Sequence, residues 1–150
     1  MATERRWGRW GRWLGWVVLV GLVVLAAIQF VPYGRDHTNP PVVQAAPWPD
    51  ERAAEIFTQS CAACHSNETD WPWYSQVAPM SWLVYRDVID GRDEMNFSRW
   101  DADDGEADDA IEAIEDGSMP PLRYVLAHPS ARLTDEETQI LVDALRRMDD

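Results

Sequence analysis

The chain has 150 residues, enough for one domain and an anchor, and its formal net charge is −13, with 13 Arg and no Lys. Residues 1–31 carry four Arg and one Glu, whereas residues 32–150 carry nine Arg and 25 acidic residues, a net charge of −16. Nucleic-acid binding needs a basic surface, so this charge argues against nucleic acid as a partner. Two explanations of the acidity remain, solubility and docking to a basic face of a partner protein.

The chain begins with a short segment, residues 1–13, in which Arg and Trp alternate. Residues 14–31 then form an apolar run of 18 residues with one strongly polar side chain, Gln29. A membrane-spanning helix needs about 17–25 residues, so the run predicts a single transmembrane anchor. The Arg residues before it and the acidic chain after it predict a cytoplasmic N-terminus. A cleaved signal peptide is the alternative, but its apolar region is usually about 7–15 residues long and ends at an A-x-A site.

Residues 32–50 contain five Pro and are predicted to be an extended linker, and residues 51–150 are predicted to be the folded domain. A helix is predicted from Asp50 to Cys61, because Pro49 and Asp50 are start signals. Phe57 lies one helical turn before Cys61, so the two side chains share a face of this helix.

The next five residues, Cys61-Ala62-Ala63-Cys64-His65, have the spacing C-x-x-C-H and contain both cysteines of the chain. This spacing is typical of covalent attachment of a c-type haem. Two thiols on one turn add to the two vinyl groups of the haem, and His65 becomes the proximal ligand of the iron. The alternatives are a structural zinc site, which needs about four ligands, a thioredoxin-like redox pair, which needs a βαβ context, and a disulfide that closes a very short loop.

Residues 66–100 are rich in aromatic side chains, which predicts that they wall the haem: Trp71, Trp73, Tyr74, Trp82, Tyr85, Phe97 and Trp100. A helix is predicted from Ser81 to Asp90, stopped by Gly91. The acidic run 101–109 is predicted to lead into a helix over 106–116. Calcium binding there is disfavoured, because an EF-hand loop that starts at Asp101 would have Glu106 where Gly is required.

The last part of the chain contains a Met119-Pro120-Pro121 loop and a final helix. Thr134 and Glu137 form the capping box of that helix. Because no convincing strand is found, the sequence predicts an all-α fold with one N-terminal transmembrane helix.

Several stretches resemble one bacterial family, called the haem-binding domain family, over residues 33–147. They are C-H-S-N-E-T from Cys64, W-P-W-Y from Trp71, N-F-S from Asn96, M-P-P from Met119 and H-P from His128. The resemblance implies a cytochrome-c-like helical fold with haem on Cys61, Cys64 and His65. Family members are often membrane-anchored, and c-type maturation occurs on the outer face of the bacterial plasma membrane. A periplasmic or extracellular haem domain is therefore expected.

The candidates for the sixth iron ligand are Met80, Met95, Met119, Met148, His37 and His128. Met119 is preferred because it lies 54 residues after His65, which is far enough to wrap the chain to the opposite haem face. Its two following prolines stiffen the loop. The Met-Pro loop of cytochromes c, which this one resembles, supplies their distal ligand. His128 is the runner-up, either as a ligand or as the partner of a haem propionate.

The functional expectation is electron transfer to or from a redox partner protein, without catalysis. An iron with protein ligands on both faces leaves no open position for a substrate. One alternative is a gas or redox sensor, or a small peroxidase, whose sixth position opens. Another is an interaction protein that uses the haem as a structural staple.

Overall fold

The computed structural model describes residues 4–100 and 107–149, with side chains for 10–100 and 107–148. Within these ranges the chain is helical, with no strand beyond one isolated bridge between Gln44 and Arg99. The α-helices, in chain order, are α1 (Glu4–Ile28), α2 (Glu51–Ser60), α3 (Ala62–His65), α4 (Met80–Glu94), α5 (Ala107–Glu115), α6 (Leu122–Ala127) and α7 (Asp135–Asp149). Short 3-10 helices cover Trp73–Gln76 and Pro129–Ala131. The predicted all-α class is confirmed.

The chain divides into two compact units. The first comprises Met1–Asp36 and Pro72–Tyr85, and the second comprises His37–Trp71 and Arg86–Asp150. The first six residues of α4 therefore belong to the first unit and the rest to the second.

Helix α1 dominates the first unit. Its apolar part, Trp10–Ile28, is 19 residues long, or about 28 Å at 1.5 Å per residue, close to the roughly 30 Å of a bilayer's hydrocarbon core. None of this part is buried against the protein, and its Leu and Val side chains are exposed on all sides. A helix that is apolar all round needs an apolar environment. In length and composition α1 can therefore cross a membrane.

The end of α1 is fastened to the other segment of the first unit. The side-chain amide of Gln29 donates to the carbonyl of Ala78 and accepts from its N–H, both at 3.0 Å. Gly34 has φ +75°, and a Cβ atom there would stand 2.6 Å from the carbonyl oxygen of Ser81. The positive φ angle and the lack of room for a Cβ atom both require glycine at this position.

The core of the second unit forms where α7 packs against α2 and α5. Leu141 and Leu145 of α7 are fully buried with Ile56 of α2 and Ile111 of α5. Truncating a buried Leu to Ala typically costs about 2–5 kcal/mol. This packing therefore holds α2, whose C-cap is Cys61, firmly in the unit.

Both predicted helix starts have the expected caps. The Asp50 carboxylate accepts from the Ala53 N–H at 2.9 Å. The Thr134 hydroxyl accepts from the Glu137 N–H at 3.2 Å, and the Glu137 carboxylate accepts from the Thr134 N–H at 3.1 Å. Both caps satisfy N–H groups that a helix start leaves unpaired.

Part of the proline-rich segment, residues 32–50, is hydrogen-bonded to residues 97 and 98. The N–H groups of Val43 and Ala46 donate to the carbonyls of Ser98 and Phe97, at 3.0 and 2.9 Å. From His37 onward the proline-rich segment is thus part of the second unit, while the domain boundary at residue 50 stays a prediction. The helix predicted to stop at Gly91 continues to Glu94. The acidic residues 101–106, including the rejected calcium loop's start, lie outside the described residues.

Candidate haem-binding site

A cavity in the second unit is surrounded by parts of α2, α3, α4, α5, α6 and α7 and by the loop after α5. Most of its surface is apolar. The large apolar side chains in the lining are Trp48, Phe57, Met95, Phe97, Ile114, Met119, Leu141 and Leu145. A concave apolar surface of this kind suits a hydrophobic small molecule or cofactor.

The C-x-x-C-H residues lie on one tight turn that faces this cavity. The N–H of Cys61 still donates to Phe57 at 2.8 Å, as the last bond of α2. Cys61 then leaves helical geometry, and its carbonyl accepts from the N–H groups of Cys64 and His65 at 3.1 and 3.0 Å. Cys61, Cys64 and His65 all line the cavity. The turn therefore presents two thiols and an imidazole to one space.

The ring of His65 is oriented by a backbone carbonyl. Its Nδ1 atom lies 3.1 Å from the carbonyl oxygen of Met95. A carbonyl oxygen only accepts, so Nδ1 carries the proton and Nε2 keeps the lone pair that binds a metal. Burial lowers the pKa of His65, against smaller opposing effects of the carbonyls of Met95 and Gly91. The imidazole is thus held neutral, as a metal ligand must be.

The two thiols are protonated at neutral pH. Burial raises the pKa of Cys61 to about 12, with a smaller contribution from Cys64. Burial, and then the charge of Asp87, raises the pKa of Cys64 to about 11. A reactive Cys-x-x-Cys redox pair requires the opposite, a lowered pKa. The structure therefore argues against the thioredoxin-like alternative.

A structural zinc site lacks its further ligands in the described part of the chain. Over residues 10–100 and 107–148, no group of three or more His, Cys, Asp or Glu side chains is placed to hold a metal ion. A haem needs only one such ligand from this turn, because the porphyrin supplies four nitrogens.

A buried arginine supports the turn from behind. Arg92 of α4 is only 9% exposed. Its guanidinium donates to the carbonyl of Ser66 at 2.8 Å, to the Asn39 side chain at 2.8 Å and to the Thr69 hydroxyl at 2.9 Å. The Thr69 hydroxyl in turn donates to the carbonyl of Ala63 at 2.8 Å. Arg92 thus links α4 to Asn39, which precedes α2, and to Ser66 and Thr69, which follow His65.

A second set of buried polar contacts continues this support. The side chain of Asn96 donates to that of Asn67 at 2.9 Å, and the Ser98 hydroxyl accepts from the Asn67 N–H at 3.0 Å. Asn67 also donates to the carbonyl of Pro41 at 2.9 Å. These contacts give a physical role to the S-N-E-T and N-F-S stretches. Both stretches were recognised from the sequence. Arg92 was not, because its neighbours in the chain form no motif that indicates its role.

Met119 lines the same cavity and is 38% exposed. The loop that carries it is fastened to α5, since the Met119 N–H and the Ser118 hydroxyl both donate to the carbonyl of Ala113, at 3.0 and 3.2 Å. Gly117 turns the chain with φ +75°, a conformation that favours glycine. Pro120 and Pro121 also belong to the lining.

A family model described as Haem-binding domain matches residues 23–147. The chain belongs to this haem-binding domain family. The match includes every residue of the cavity lining, from Trp48 to Leu145. No curated protein and no solved structure matches the chain. Haem binding, predicted from the C-x-x-C-H motif, is confirmed at the level of the family.

The lining residues fit a haem. A neutral imidazole and a thioether are both iron ligands of haem proteins, and the two thiols have the spacing that covalent attachment uses. The apolar lining suits the porphyrin faces. The charged side chains of the lining are Asp87, Asp90 and Glu94 of α4 and Arg123 of α6. Arg123 pairs with Asp87 through two hydrogen bonds of 2.8 and 3.2 Å.

Of the other predicted ligand candidates, Met95 also lines the cavity, and the remaining four lie elsewhere in the structure. His37 stacks on Trp71, with ring centroids 4.3 Å apart. His128 ends α6 and stacks on Tyr124 at 4.4 Å. Neither histidine belongs to the haem cavity's lining. Met80 belongs to the first unit and is exposed, and Met148 packs against the core of the second.

The prediction that seven aromatic residues of the segment 66–100 wall the haem is mostly wrong. Of these, only Phe97 lines the cavity. Trp73, Tyr74, Trp82 and Tyr85 belong to the first unit, where residues 72–85 fold with the end of α1. Phe57 lines the cavity as expected, and the remaining aromatic lining comes from Trp48 and Tyr124, which lie outside the aromatic-rich segment.

Proposed function

We propose that this protein is a membrane-anchored c-type cytochrome with one haem, which transfers electrons on the outer face of a bacterial plasma membrane. The observation that carries the proposal is the convergence of Cys61, Cys64, His65 and Met119 on one apolar cavity. Each thiol adds its S–H across a haem vinyl group, with the sulfur on one carbon and the hydrogen on the other. When bound, the haem supplies one-electron redox chemistry at its iron.

His65 and Met119 are the proposed iron ligands. Met95, the other methionine of the lining, has its carbonyl on Nδ1 of His65, so its backbone stands behind the proximal ligand. Met119 comes from a separate loop after α5, which supports its assignment to the opposite haem face. His/Met ligation raises the reduction potential, and the apolar lining acts in the same direction by excluding water.

Covalent attachment is tested on denaturing gels stained for haem peroxidase activity. The wild type should give a stained band at its own mass, and the double variant Cys61→Ala/Cys64→Ala should give none. Cys64→Ala alone should keep one thioether bond and a weaker band. Acid–acetone extraction that removes haem from the wild type, with both thiols free, would contradict the proposal.

A haem sensor or small peroxidase is the second candidate function. It is favoured by the carboxylates of Asp87, Asp90 and Glu94 in the lining, because peroxide chemistry uses a proton donor and acceptor near the iron. Carbon monoxide separates the two candidates. The reduced protein should bind it slowly or poorly if Met119 occupies the sixth position, whereas fast and tight binding would indicate a sensor or peroxidase.

The anchor is proposed to be α1, with the N-terminus inside and the haem domain outside. Its apolar surface on all sides supports the anchor, and the four Arg residues before it support this orientation. Protease added to right-side-out spheroplasts should remove the haem domain and leave the anchor. Complete protection of the domain would contradict the orientation.

The redox partner is proposed to be a protein with a basic face. Three carboxylates of the lining, those of Asp87, Asp90 and Glu94, are spaced three and four residues apart and share one face of α4. Electron transfer to a basic partner should slow as salt rises, because exposed charges are screened beyond about 8 Å at physiological ionic strength. A rate that does not depend on salt would indicate that the acidic surface serves solubility and not docking to a basic partner.

A further inference from the structure

We propose that the segment Trp71–Tyr85 is a second membrane-contacting element, which lies on the lipid–water interface of the outer leaflet beside the end of α1. The proposal rests on the proposed anchoring of α1 in the membrane. We call this segment the interfacial segment. All the contacts that carry the argument, from Pro72 onward, lie within the first unit.

The interfacial segment is fastened to the point where α1 ends. The Gln29 side chain makes two hydrogen bonds of 3.0 Å to the backbone of Ala78 and a third, also of 3.0 Å, to the carbonyl of Leu25 in the last turn of α1. Tyr33 meets Tyr85 edge to face at 5.5 Å. If α1 spans the bilayer, these contacts hold the interfacial segment at the depth where α1 leaves the hydrocarbon core.

Apart from Gln76, the exposed side chains of the interfacial segment are apolar or aromatic. Trp73 is 80% exposed, and Val77, Met80 and Leu83 are exposed as well. At the end of α1, Phe30 is 88% exposed. Trp and Tyr side chains are enriched where lipid meets water, because one end of the ring system is apolar and the other is polar.

The charge of the interfacial segment points to the same environment. Residues 71–85 contain no Asp, Glu or Arg, although residues 32–150 as a whole have a net charge of −16. Bacterial membranes carry anionic lipids, and a negative surface potential repels carboxylates. The interfacial segment is thus an uncharged stretch in an otherwise acidic chain, and it is joined to the end of the anchor.

Two residues of the interfacial segment, Ser75 and Val77, have their backbone N–H groups paired within the segment. Ser75 is fully buried, and its N–H and hydroxyl both donate to the carbonyl of Pro72, at 2.9 and 2.7 Å. The Val77 N–H donates to Tyr74 at 3.1 Å.

The test is photo-crosslinking of the full-length, haem-loaded protein in nanodiscs of phosphatidylethanolamine and phosphatidylglycerol. The photoreactive residue p-benzoylphenylalanine replaces one residue at a time, at position 73, 77, 14 or 126. Position 14 lies in α1 and reports the anchor. Position 126 replaces Leu126, an exposed leucine of the second unit, and gives the background for an exposed apolar side chain. Unchanged haem absorbance shows that each variant is folded.

Mass spectrometry of the proteolytic peptides then counts lipid adducts. We expect adducts at positions 14, 73 and 77, severalfold above those at position 126. Adducts at 14 with background levels at 73 and 77 would overturn the interfacial proposal and leave the anchor intact. Background levels at 14 would overturn both. Adducts between position 73 and a second protein chain would replace the lipid by a protein partner and overturn the lipid assignment.

Discussion

Gly91 of α4 lies directly against the backbone of Cys64. A Cβ atom at position 91 would stand 2.9 Å from the carbonyl oxygen of Cys64 and 3.0 Å from its Cβ. Van der Waals contacts of carbon atoms are normally about 3.5–4.0 Å, and backbone atoms cannot move aside as the end of a flexible side chain can. The approach of α4 to the C-x-x-C-H turn therefore depends on the absence of a side chain at Gly91.

Gly91→Ala should destabilise the protein by about 1–3 kcal/mol, as other overpacked sites do. The sign of this stability change is informative, because Gly→Ala in an open helix interior stabilises a protein by about 1 kcal/mol. Denaturant unfolding followed by circular dichroism measures the change in the free energy of unfolding. The amount of haem bound per protein shows whether the C-x-x-C-H turn is intact. Asp93→Ala, on the exposed side of the same helix, is the control and should change stability by less than about 0.5 kcal/mol. A Gly91→Ala variant with normal stability and haem content would show that the close approach of Gly91 to Cys64 does not matter for stability.

Arg92→Ala should be among the most damaging substitutions outside the cavity. Hydrogen bonds to a charged group contribute about 1.5–3 kcal/mol each. The substitution leaves the buried acceptors of Ser66 and Thr69, and the exposed side chain of Asn39, without this donor. We expect a loss of about 3 kcal/mol or more in the free energy of unfolding.

The matched control is Arg86→Ala on the same helix. Arg86 makes an exposed ion pair with Asp90 at 3.1 Å, and such pairs contribute about 1 kcal/mol or less. Arg92→Lys should lie between the wild type and Arg92→Ala, because a single ammonium cannot reproduce the planar fork of donors. Equal losses for Arg86→Ala and Arg92→Ala would show that the buried contacts are not special.

Met119→Ala should abolish the weak red charge-transfer band from sulfur to iron in the ferric protein. It should also lower the reduction potential, because His/Met ligation raises it, within the span of about 0.8 V that axial ligands control. Met80→Ala, which removes an exposed thioether of the first unit, is the control and should leave the band and the potential unchanged.

The companion variant His128→Ala decides between the two predicted distal ligands. If Met119 is the ligand, His128→Ala keeps the band and affects only the end of α6, where His128 stacks on Tyr124. An unchanged spectrum and potential in Met119→Ala, together with a changed spectrum in His128→Ala, would transfer the role to His128.

The capping box of α7 predicts a stability that falls in acid. Hydrogen bonds from the N–H and hydroxyl of Thr134, and more weakly the charge of Arg52, lower the pKa of Glu137 from its ordinary value of 4.5. A carboxylate whose pKa is depressed by folding stabilises the protein above its unfolded pKa. That contribution is lost as the pH falls below about 4.5 and through the lowered folded value.

Unfolding midpoints of the wild type and Glu137→Gln should therefore differ at pH 7 and converge towards pH 3. Glu136→Gln removes an exposed carboxylate from the same turn and is the control for the change in net charge. A difference between wild type and Glu137→Gln that stays constant from pH 7 to pH 3 would assign the effect to the amide itself rather than to titration.

Features that depend on residues close together in the chain were predictable from sequence. The C-x-x-C-H turn, the Asp50 cap and the Thr134–Glu137 capping box each lie within about one helical turn, so the residue types and their spacing nearly determine the local structure. The apolar run before Pro32 is likewise a matter of length and composition. The sequence by itself therefore determined the helical class, the haem motif and a helix able to cross a membrane.

Features that depend on residues far apart in the chain were decided only by the tertiary structure. Glycine is typical of a helix end, but α4 continues past Gly91 to Glu94. A glycine is needed at this position because the backbone of Cys64 lies against it. Arg92 carries no local signal, because its partners come from three other segments of the chain. An aromatic-rich segment predicts buried side chains but not what they pack against. The sequence therefore could not separate Phe97, which lines the cavity, from Trp82, which folds with the end of α1. Periodicity reports burial, whereas the identity of the buried partner is a property of the folded chain.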